Sequence, residues 1–543
     1  MTNDTRWIGS VVFLTLAALA LRLFLALGLP NDDPDDGRVY ARIARNVIEH
    51  GVYSSEDAPP YVPTYIRVPS YPLLLAGIYS VFGHDANHAV RVCQALIDTA
   101  TCWMAALLAM VWAPAGWSRE RRLGAALAAL VLAALCPFIA IYVATILTET
   151  FATFLLVSLA LVTSLALRAR NPGPAIAWWL LTGILGGIGT LLRPDSGLFV
   201  TASGATLVLV ALNRILEIRR NREPIDDVHG QTHRILARTF ISGSLLVIGF
   251  IATLAPWAVR NWQVFHVFQP LAPASATMPE EFVPLGYLTW VGTWITDERY
   301  AETVVWPMEV SPIPIEQFPD AAFDSPQERE RVIALLDQYN HPAAPESSTA
   351  EDTTGAASVP DAAGTSAEPQ EQDEENSDQQ DENDTDEPQA EMRMTPEIDA
   401  GFAQLAQERA SRHPLRTYLV LPAQRAISLW FSTHSRYYPF GGHLFPLSDL
   451  DQKRYQHIWL PAFAFLTWVY SILAAAGCWV LWKNAGSRRW LLLFGLLIIP
   501  RLVFLSTLPN SEARYVIEYF PLLATAGGLA IAAFMEEALT VQP

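Results

Sequence analysis

The stretch "NDDPDDGRVYARIARN", residues 31–46, sets four aspartates at the end of the first long apolar run of the chain. A carboxylate ionised at neutral pH can take a proton from an attacking hydroxyl, so this cluster raises the question of a general base. Asp35 and Asp36 precede a helical pattern in which Tyr40, Ile43 and Val47 share a face, with Ile48 one position on, and Arg45 and Glu49 are spaced to pair. A helix N-cap is the structural account of Asp36, and Asp32 and Asp33 read as solvated loop residues. One carboxylate, Asp36, is left as the candidate base.

Farther on, in "YIRVPSYPLLLAGIYSVFG" (residues 65–83), Arg67 precedes the Pro69–Pro72 pair and an apolar segment too short to span a bilayer. That pattern predicts a helix lying at the membrane interface. An arginine at that height can fork onto a lipid phosphate, although snorkelling toward headgroups explains a single interfacial Arg equally well. Polar residues also end other apolar runs: Glu149 in "ATILTETF", Arg193 in "LLRPDSG", Arg260 and Asn261 in "APWAVRNW", and Arg514 with Tyr515 in "NSEARYVIEYFP". Gathered at one membrane face, they would suit the handling of a lipid-linked anion. Arg22 and Asp98 lie deeper, roughly 10–14 Å inside their spans at 1.5 Å per residue. A structural ion pair between adjacent helices suits them better than a proton relay, which would need more such residues.

The elements that must position these groups are membrane helices. Hydrophobic residues make up 51% of the 543, with 17 Trp. Ten spans are expected, near 7–29, 89–113, 123–141, 146–167, 175–192, 196–213, 239–258, 456–482, 490–508 and 516–536. The first is too long for a signal-peptide core and lacks a small-residue cleavage site, so it reads as a retained span. The arginine-rich loops around 119–122, 168–170, 214–238 and 483–489 all fall on one side, which predicts cytoplasmic termini in a bacterial inner membrane and an outward-facing site. Residues 30–88 and 259–455 then face outward.

The net charge of −18 is local in origin: residues 346–391 hold 16 Asp or Glu and no Lys or Arg, leaving about −2 elsewhere. No basic stripe points to nucleic acid. Residues 343–391, rich in small and acidic residues, read as a solvated tether, flanked by segments (282–340 and 398–431) expected to form a small exterior domain, the second as an amphipathic helix. The organisation is thus an all-α membrane module over 1–262, an exterior region over 263–455 and a three-span module over 456–543. The four cysteines lie in apolar segments and imply no disulfide framework.

The segments "DGRVYARIARNVIEHGVY", "IRVPSYPLLLAGIYSVFG", "PFIAIYVATILTETFATFLL", "LLRPDSG", "PWAVRNWQVF" and "EARYVIEYFPLL", in that order, resemble the GT-C superfamily of integral-membrane glycosyltransferases. The likeness is to the bacterial group similar to protein O-mannosyltransferases and lipid A aminoarabinose transferases. It implies inverting transfer of a sugar from a polyprenyl-phosphate donor to an acceptor hydroxyl of a lipid, glycan or protein. It also implies Asp36 as base, Glu149 as the second acidic position, and Arg67 and Arg260 as phosphate contacts. Tyr40, Tyr71, Arg193, Asn261, Arg514 and Tyr515 are expected around the substrate. The chain departs from the family pattern in carrying Asp-Gly where many relatives carry Asp-Glu, and Arg67 where the aminoarabinose group has Lys. The 343–391 insert has no family counterpart. No Gly-rich phosphate cradle or His/Cys cluster is present, so neither a nucleotide nor zinc is implied, and a divalent ion between Asp36 and Glu149 stays open. The rival reading is a secondary transporter, which predicts internal repeats and polar sites near the midplane.

Overall fold

The computed structural model describes residues 3–29, 34–220, 225–273, 275, 277–278, 281–308, 310–342, 393–450 and 455–540. Asp32, Asp33 and the 343–391 tether lie outside the described residues. Among those described, helices are the regular elements. Nine are long and apolar enough to cross a bilayer: α1 (Asn3–Gly28), α4 (Asn87–Trp112), α7 (Glu149–Arg168), α8 (Pro172–Thr190), α9 (Gly197–Arg220), α10 (Ile225–Phe265), α16 (Gln456–Lys483), α17 (Arg488–Thr507) and α18 (Phe520–Thr540).

The expected third span, 123–141, is not one straight helix. It divides into α5 (Arg119–Ala134) and α6 (Pro137–Ala140), the latter running into a 3-10 turn, and the two legs meet at 50°. Pro137 cannot donate the hydrogen bond a continuous helix needs, and it biases Cys136 toward extended backbone. The broken end of α5 is where the buried pair belongs. Arg22 reaches Asp98 at 2.6 Å and donates to the carbonyls of Ala134 at 2.9 Å and Ala133 at 3.2 Å. These are two of the carbonyls that a helix terminus leaves without intrahelical partners. The expected Arg22–Asp98 pair is therefore a structural joint holding the kink.

After the kink, residues 145–148 pass beneath the outer loop and enter α7 at Glu149, putting a carboxylate on a helix N-terminus. The outer loop carries α2 (Asp35–His50) and α3 (Ser70–Phe82), which pack through Tyr40 and Tyr71 in an edge-on contact at 5.2 Å. α3, where an interfacial helix is expected, is apolar and shorter than the helices that could span. α2 ends on Gly51, whose φ of 67° allows its N–H to reach the Val47 carbonyl at 3.2 Å. Arg45 and Glu49 do not pair with each other: Arg45 binds Asp85 at 2.8 Å and Glu49 meets His84 at 2.7 Å, so both tie α2 to the turn after α3.

Gly37 is required where α2 meets residues 145–148. A Cβ there would lie 2.5 Å from the Ile146 carbonyl oxygen, so only glycine lets the first turn of α2 rest on the 145–148 strap.

The segments expected to form an exterior domain hold α11 (Leu285–Val291), α12 (Glu298–Val304), α13 (Pro326–Asn340) and α14 (Pro396–Arg412) around a core of Trp290, Trp294, Leu336, Tyr339 and Phe402. The 398–431 segment is two helices rather than one: α14 stops near His413, and α15 (Leu421–Phe431) follows a wider turn. Arg425 on α15 donates to the Ile295 carbonyl at 2.8 Å and the Ser506 carbonyl at 3.2 Å, joining this domain to α17.

Candidate active site

Three backbone segments converge at one end of the helical bundle: the first turn of α2, the extended residues before α3, and the 3-10 segment Ala513–Tyr519 that leads into α18. Asp36 stands between them. Its Oδ1 accepts from Arg67 Nη2 at 2.8 Å and its Oδ2 from Arg514 Nη2 at 3.0 Å. Asp36 is not the N-cap expected: Pro34 holds that place without a side-chain bond, and Asp36 sits in the first helical turn with its carboxylate turned to the arginines. Burial alone would raise its pKa. The charges of Arg514 and Arg67 outweigh that and hold it below the usual carboxylate range. Tyr40 is pushed up to about 12 by burial and by the nearby Asp36 charge, so it stays neutral.

Beneath this trio lies Glu149, 2% exposed, within 3.3 Å of Arg193 and 3.6 Å of Arg514. Arg193 also approaches Glu518 at 3.4 Å and stacks on the Tyr515 ring at 4.4 Å. Arg501, from inside α17, completes the floor by binding Asp195 at 2.7 Å and Glu518 at 3.1 Å. On the outer side, Glu512 accepts from Arg514 at 2.6 Å and Arg436 at 3.1 Å, and Arg436 binds Glu298 of α12 at 2.9 Å. Burial, then the charge of Glu512, lifts Glu298 to about 7. One charged network thus runs from within the bundle, past Asp36, to the exterior domain.

The sequence reading missed six members of that network: Asp195, Glu298, Arg436, Arg501, Glu512 and Glu518. Arg501 had a signal, an arginine inside an apolar run beside Pro500, which is a costly placement without a partner. Glu298 and Arg436 had none, because their neighbours come together only through the fold.

Two expected pocket residues face elsewhere. Tyr71 is 1% exposed and its hydroxyl donates to Gln94 at 3.0 Å, inside the packing of α3 on α4. Asn261 is fully buried, accepting from Arg260 at 2.9 Å and donating to the Gln269 carbonyl at 2.6 Å, so it fixes the end of α10. The polar ends of both are bonded within the protein itself.

Arg260 makes no direct contact with Asp36. It donates to the Thr64 carbonyl at 2.8 Å and lies over the rings of Trp257, Phe265 and Tyr53 at 4.9, 5.1 and 5.5 Å. It lines an apolar groove of about 650 Å³ with Trp257, Tyr53, Leu73, Leu191 and Pro256, between α2–α3 and α10. Tyr53 hands on to the site, its hydroxyl donating to the Arg67 carbonyl at 3.1 Å. A second, polar cavity of about 710 Å³ opens toward the exterior domain, lined by Arg514, Tyr142, Tyr300, Glu298, Glu302 and Arg436. The charged cluster is flanked by an apolar path on one side and a polar one on the other. Among the described residues no group of three or more His, Cys, Asp or Glu is arranged to hold a metal ion, and Asp36 and Glu149 are both engaged by arginine.

Residues 63–220 match the model of the family described as dolichyl-phosphate-mannose-protein mannosyltransferase. Among solved structures, the chain is similar to the archaeal oligosaccharyltransferase AglB from Archaeoglobus fulgidus, in complex with an inhibitory peptide and a dolichol-phosphate. The identity is 12% and the TM-score 0.41, over 97% of this chain and 50% of that one. It is also similar to ArnT from Cupriavidus metallidurans bound to undecaprenyl phosphate, at 14% identity and TM-score 0.34, over 98% and 79% of the two chains. For ArnT in the apo state the figures are 14%, 0.31, 97% and 78%. This chain spans about half the length of the AglB chain. No curated protein matches it. The family match covers residues 63–220, less than half of the chain, and among the described residues nine helices are long and apolar enough to cross a membrane, which defines the class as a helical protein with the makings of many membrane spans.

Proposed function

We propose that this protein is an inverting glycosyltransferase that moves a sugar from a polyprenyl-phosphate donor to an acceptor hydroxyl at the outer face of the cytoplasmic membrane. The observation that carries this reading is the Asp36 carboxylate held by Arg67 and Arg514 between an apolar groove and a polar cavity. The polyprenyl chain lies in the groove beside Trp257, and the phosphate meets Arg67, with Arg260 at the groove wall. The acceptor enters through the polar cavity. Its hydroxyl oxygen attacks the anomeric carbon from the face opposite the phosphate, and the C–O bond to phosphate breaks. The proton passes to Asp36, and the lipid leaves as a phosphate monoester whose developing charge the guanidiniums stabilise. Attack from that face inverts the anomeric centre.

In the resting site the two arginines neutralise Asp36. A donor phosphate competes for the same guanidiniums, so donor binding frees the carboxylate and raises its basicity when an acceptor proton must be taken. Glu149 acts from below by holding Arg193 and Arg514 in place. A transporter reading has less support, since the charged network gathers at one end of the helical bundle and the deeper Arg22–Asp98 pair is a structural joint.

The test supplies membranes containing the protein with polyprenyl-phosphate donors radiolabelled in mannose, glucose or aminoarabinose, and follows label into lipid, glycan and protein fractions. Transfer from one donor that is lost in Arg67→Ala and keeps its rate when residues 344–391 are deleted is the expected result. Absence of transfer from every donor overturns the reading.

A further inference from the structure

The face of the bundle remote from Asp36 carries a second site. α7, α8, α9 and α10 enclose a groove of about 260 Å³ whose lining includes Trp179, Ile176, Ile241, Arg170, Arg214 and Arg238. Helix direction places it. α7 runs from Glu149 to Arg168 and α10 from Ile225 to Phe265, so these arginines lie at the ends away from Glu149 and Arg260. Arg238 and Arg260 stand 22 residues apart on α10. That is roughly 33 Å, about the thickness of a bilayer's hydrocarbon.

The groove exists because α8 and α10 touch backbone to backbone just beyond it. Gly183 abuts the Leu246 carbonyl, and a Cβ on Gly249 would lie 2.5 Å from the Leu180 carbonyl oxygen. One turn farther from the Asp36 cluster the facing residues are Trp179 and Leu245, and the gap opens. Trp179 is its floor, 2% exposed, while Ile176 and Ile241 stand at its sides, 46% and 53% exposed.

No Asp or Glu lines this groove. Among the described residues, Arg170, Arg214 and Arg238 form no ion pair, and Arg489 of α17 adds like charge beside Arg214. Among the described residues, cations therefore gather at the mouth of an apolar slot that no Asp or Glu lines, at the end of the bundle remote from Asp36.

We propose that the groove binds an anionic phospholipid, its phosphate held by the three guanidiniums and an acyl chain lying along Trp179, Ile176 and Ile241. Basic pockets between membrane helices select such headgroups, since a zwitterionic lipid brings a cation of its own to the arginines. The bound lipid bridges α8, α9 and α10, the last of which carries Trp257 and Arg260 at its other end. The site is independent of the transferase reading.

Native mass spectrometry of the full-length protein, titrated with phosphatidylglycerol and with phosphatidylcholine, tests it. Wild-type protein should hold one phosphatidylglycerol more tightly than phosphatidylcholine, and glycerophosphoglycerol, which lacks acyl chains, should not displace it. The Arg170→Gln/Arg214→Gln/Arg238→Gln variant should bind phosphatidylglycerol roughly a hundredfold more weakly, at about a decade or somewhat less per arginine. Arg219→Gln/Arg220→Gln, on the same face but outside the groove, should bind as wild type does. Equal wild-type affinity for the two lipids overturns the proposal without any variant. So does a groove variant that retains the lipid, or an equal loss in the Arg219/Arg220 variant, which would reduce the effect to general surface charge.

Discussion

Replacing Asp36 with Asn removes a charge while keeping the shape, and the structure separates its chemical cost from its folding cost. General-base assistance contributes about 10²- to 10⁴-fold. The arginines hold the Asp36 carboxyl below the usual range, which makes it a weak base before the donor binds, so a middle value of about 10³-fold is expected. At about 1.36 kcal/mol per decade that is roughly 4 kcal/mol of barrier. The stability cost is much smaller. Asp36 is 31% exposed, its two ion pairs each contribute about 1 kcal/mol at most, and both arginines keep other partners: Arg514 holds Glu512 at 2.6 Å and Arg67 lies over the Tyr40 ring. Expression and elution should therefore match wild type while the initial rate of radiolabel transfer falls about a thousandfold. Asp36→Glu should recover part of the rate. The sign of the pH effect follows from the lowered pKa. In the donor-free protein Asp36 stays ionised, and its pairs stay intact, until pH falls through that depressed value, so it produces no acid limb in kcat/KM between pH 5 and 7. A rate for Asp36→Asn within tenfold of wild type would refute its role as base.

Gly37→Ala sets a methyl 2.5 Å from the Ile146 carbonyl oxygen and should cost about 1–3 kcal/mol, read as a lower thermal midpoint in detergent together with slower transfer, because the same contact positions Asp36. An unchanged midpoint would mean that the strap yields freely. Asp98→Asn leaves the buried Arg22 charge with neutral partners alone, the carbonyls of Ala18, Ala133 and Ala134 and the Cys102 sulfur, and should destabilise by about 3–5 kcal/mol, with no change in the donor KM of the surviving protein. A change in donor KM at unchanged stability would make the pair part of the site. Glu298, lifted to about 7, binds its proton more tightly folded than unfolded, so its contribution to stability is complete below about pH 4.5 and is lost as pH rises through 7. The shift is worth up to about 3 kcal/mol. His443, raised chiefly by its hydrogen bond to Glu302, acts in the same direction, so Glu298→Gln should flatten most but not all of the fall in thermal midpoint between pH 5 and 8. An identical slope in wild type and variant would dismiss Glu298 as the titrating group.

Much of this protein is legible one residue at a time. Apolar runs of about 20 residues have one good solution in a bilayer, so the helical class and most of the spans follow from composition alone. Asp36, Arg67, Glu149, Arg193 and Arg514 stand out because a charge at the end of an apolar run is costly unless it has a task, and the fold brings all five together. What the sequence could not state was who partners whom. Tyr71 and Asn261 look like site residues because of their types, yet their polar atoms are satisfied by Gln94, Arg260 and the Gln269 carbonyl. Glu298 and Arg436 lie in unremarkable segments, and they join the network because the fold sets them against Ala513 and Glu512. The kink after Ala134 has a local cause in Pro137 but is held by the side chain of Arg22, and the need for glycine at position 37 depends on a backbone more than a hundred residues distant in sequence. Burial of apolar length is a local property that a sequence carries openly. The pairing of charges, and the close approach of one backbone to another, are settled only when helices far apart in the chain share one end of the bundle.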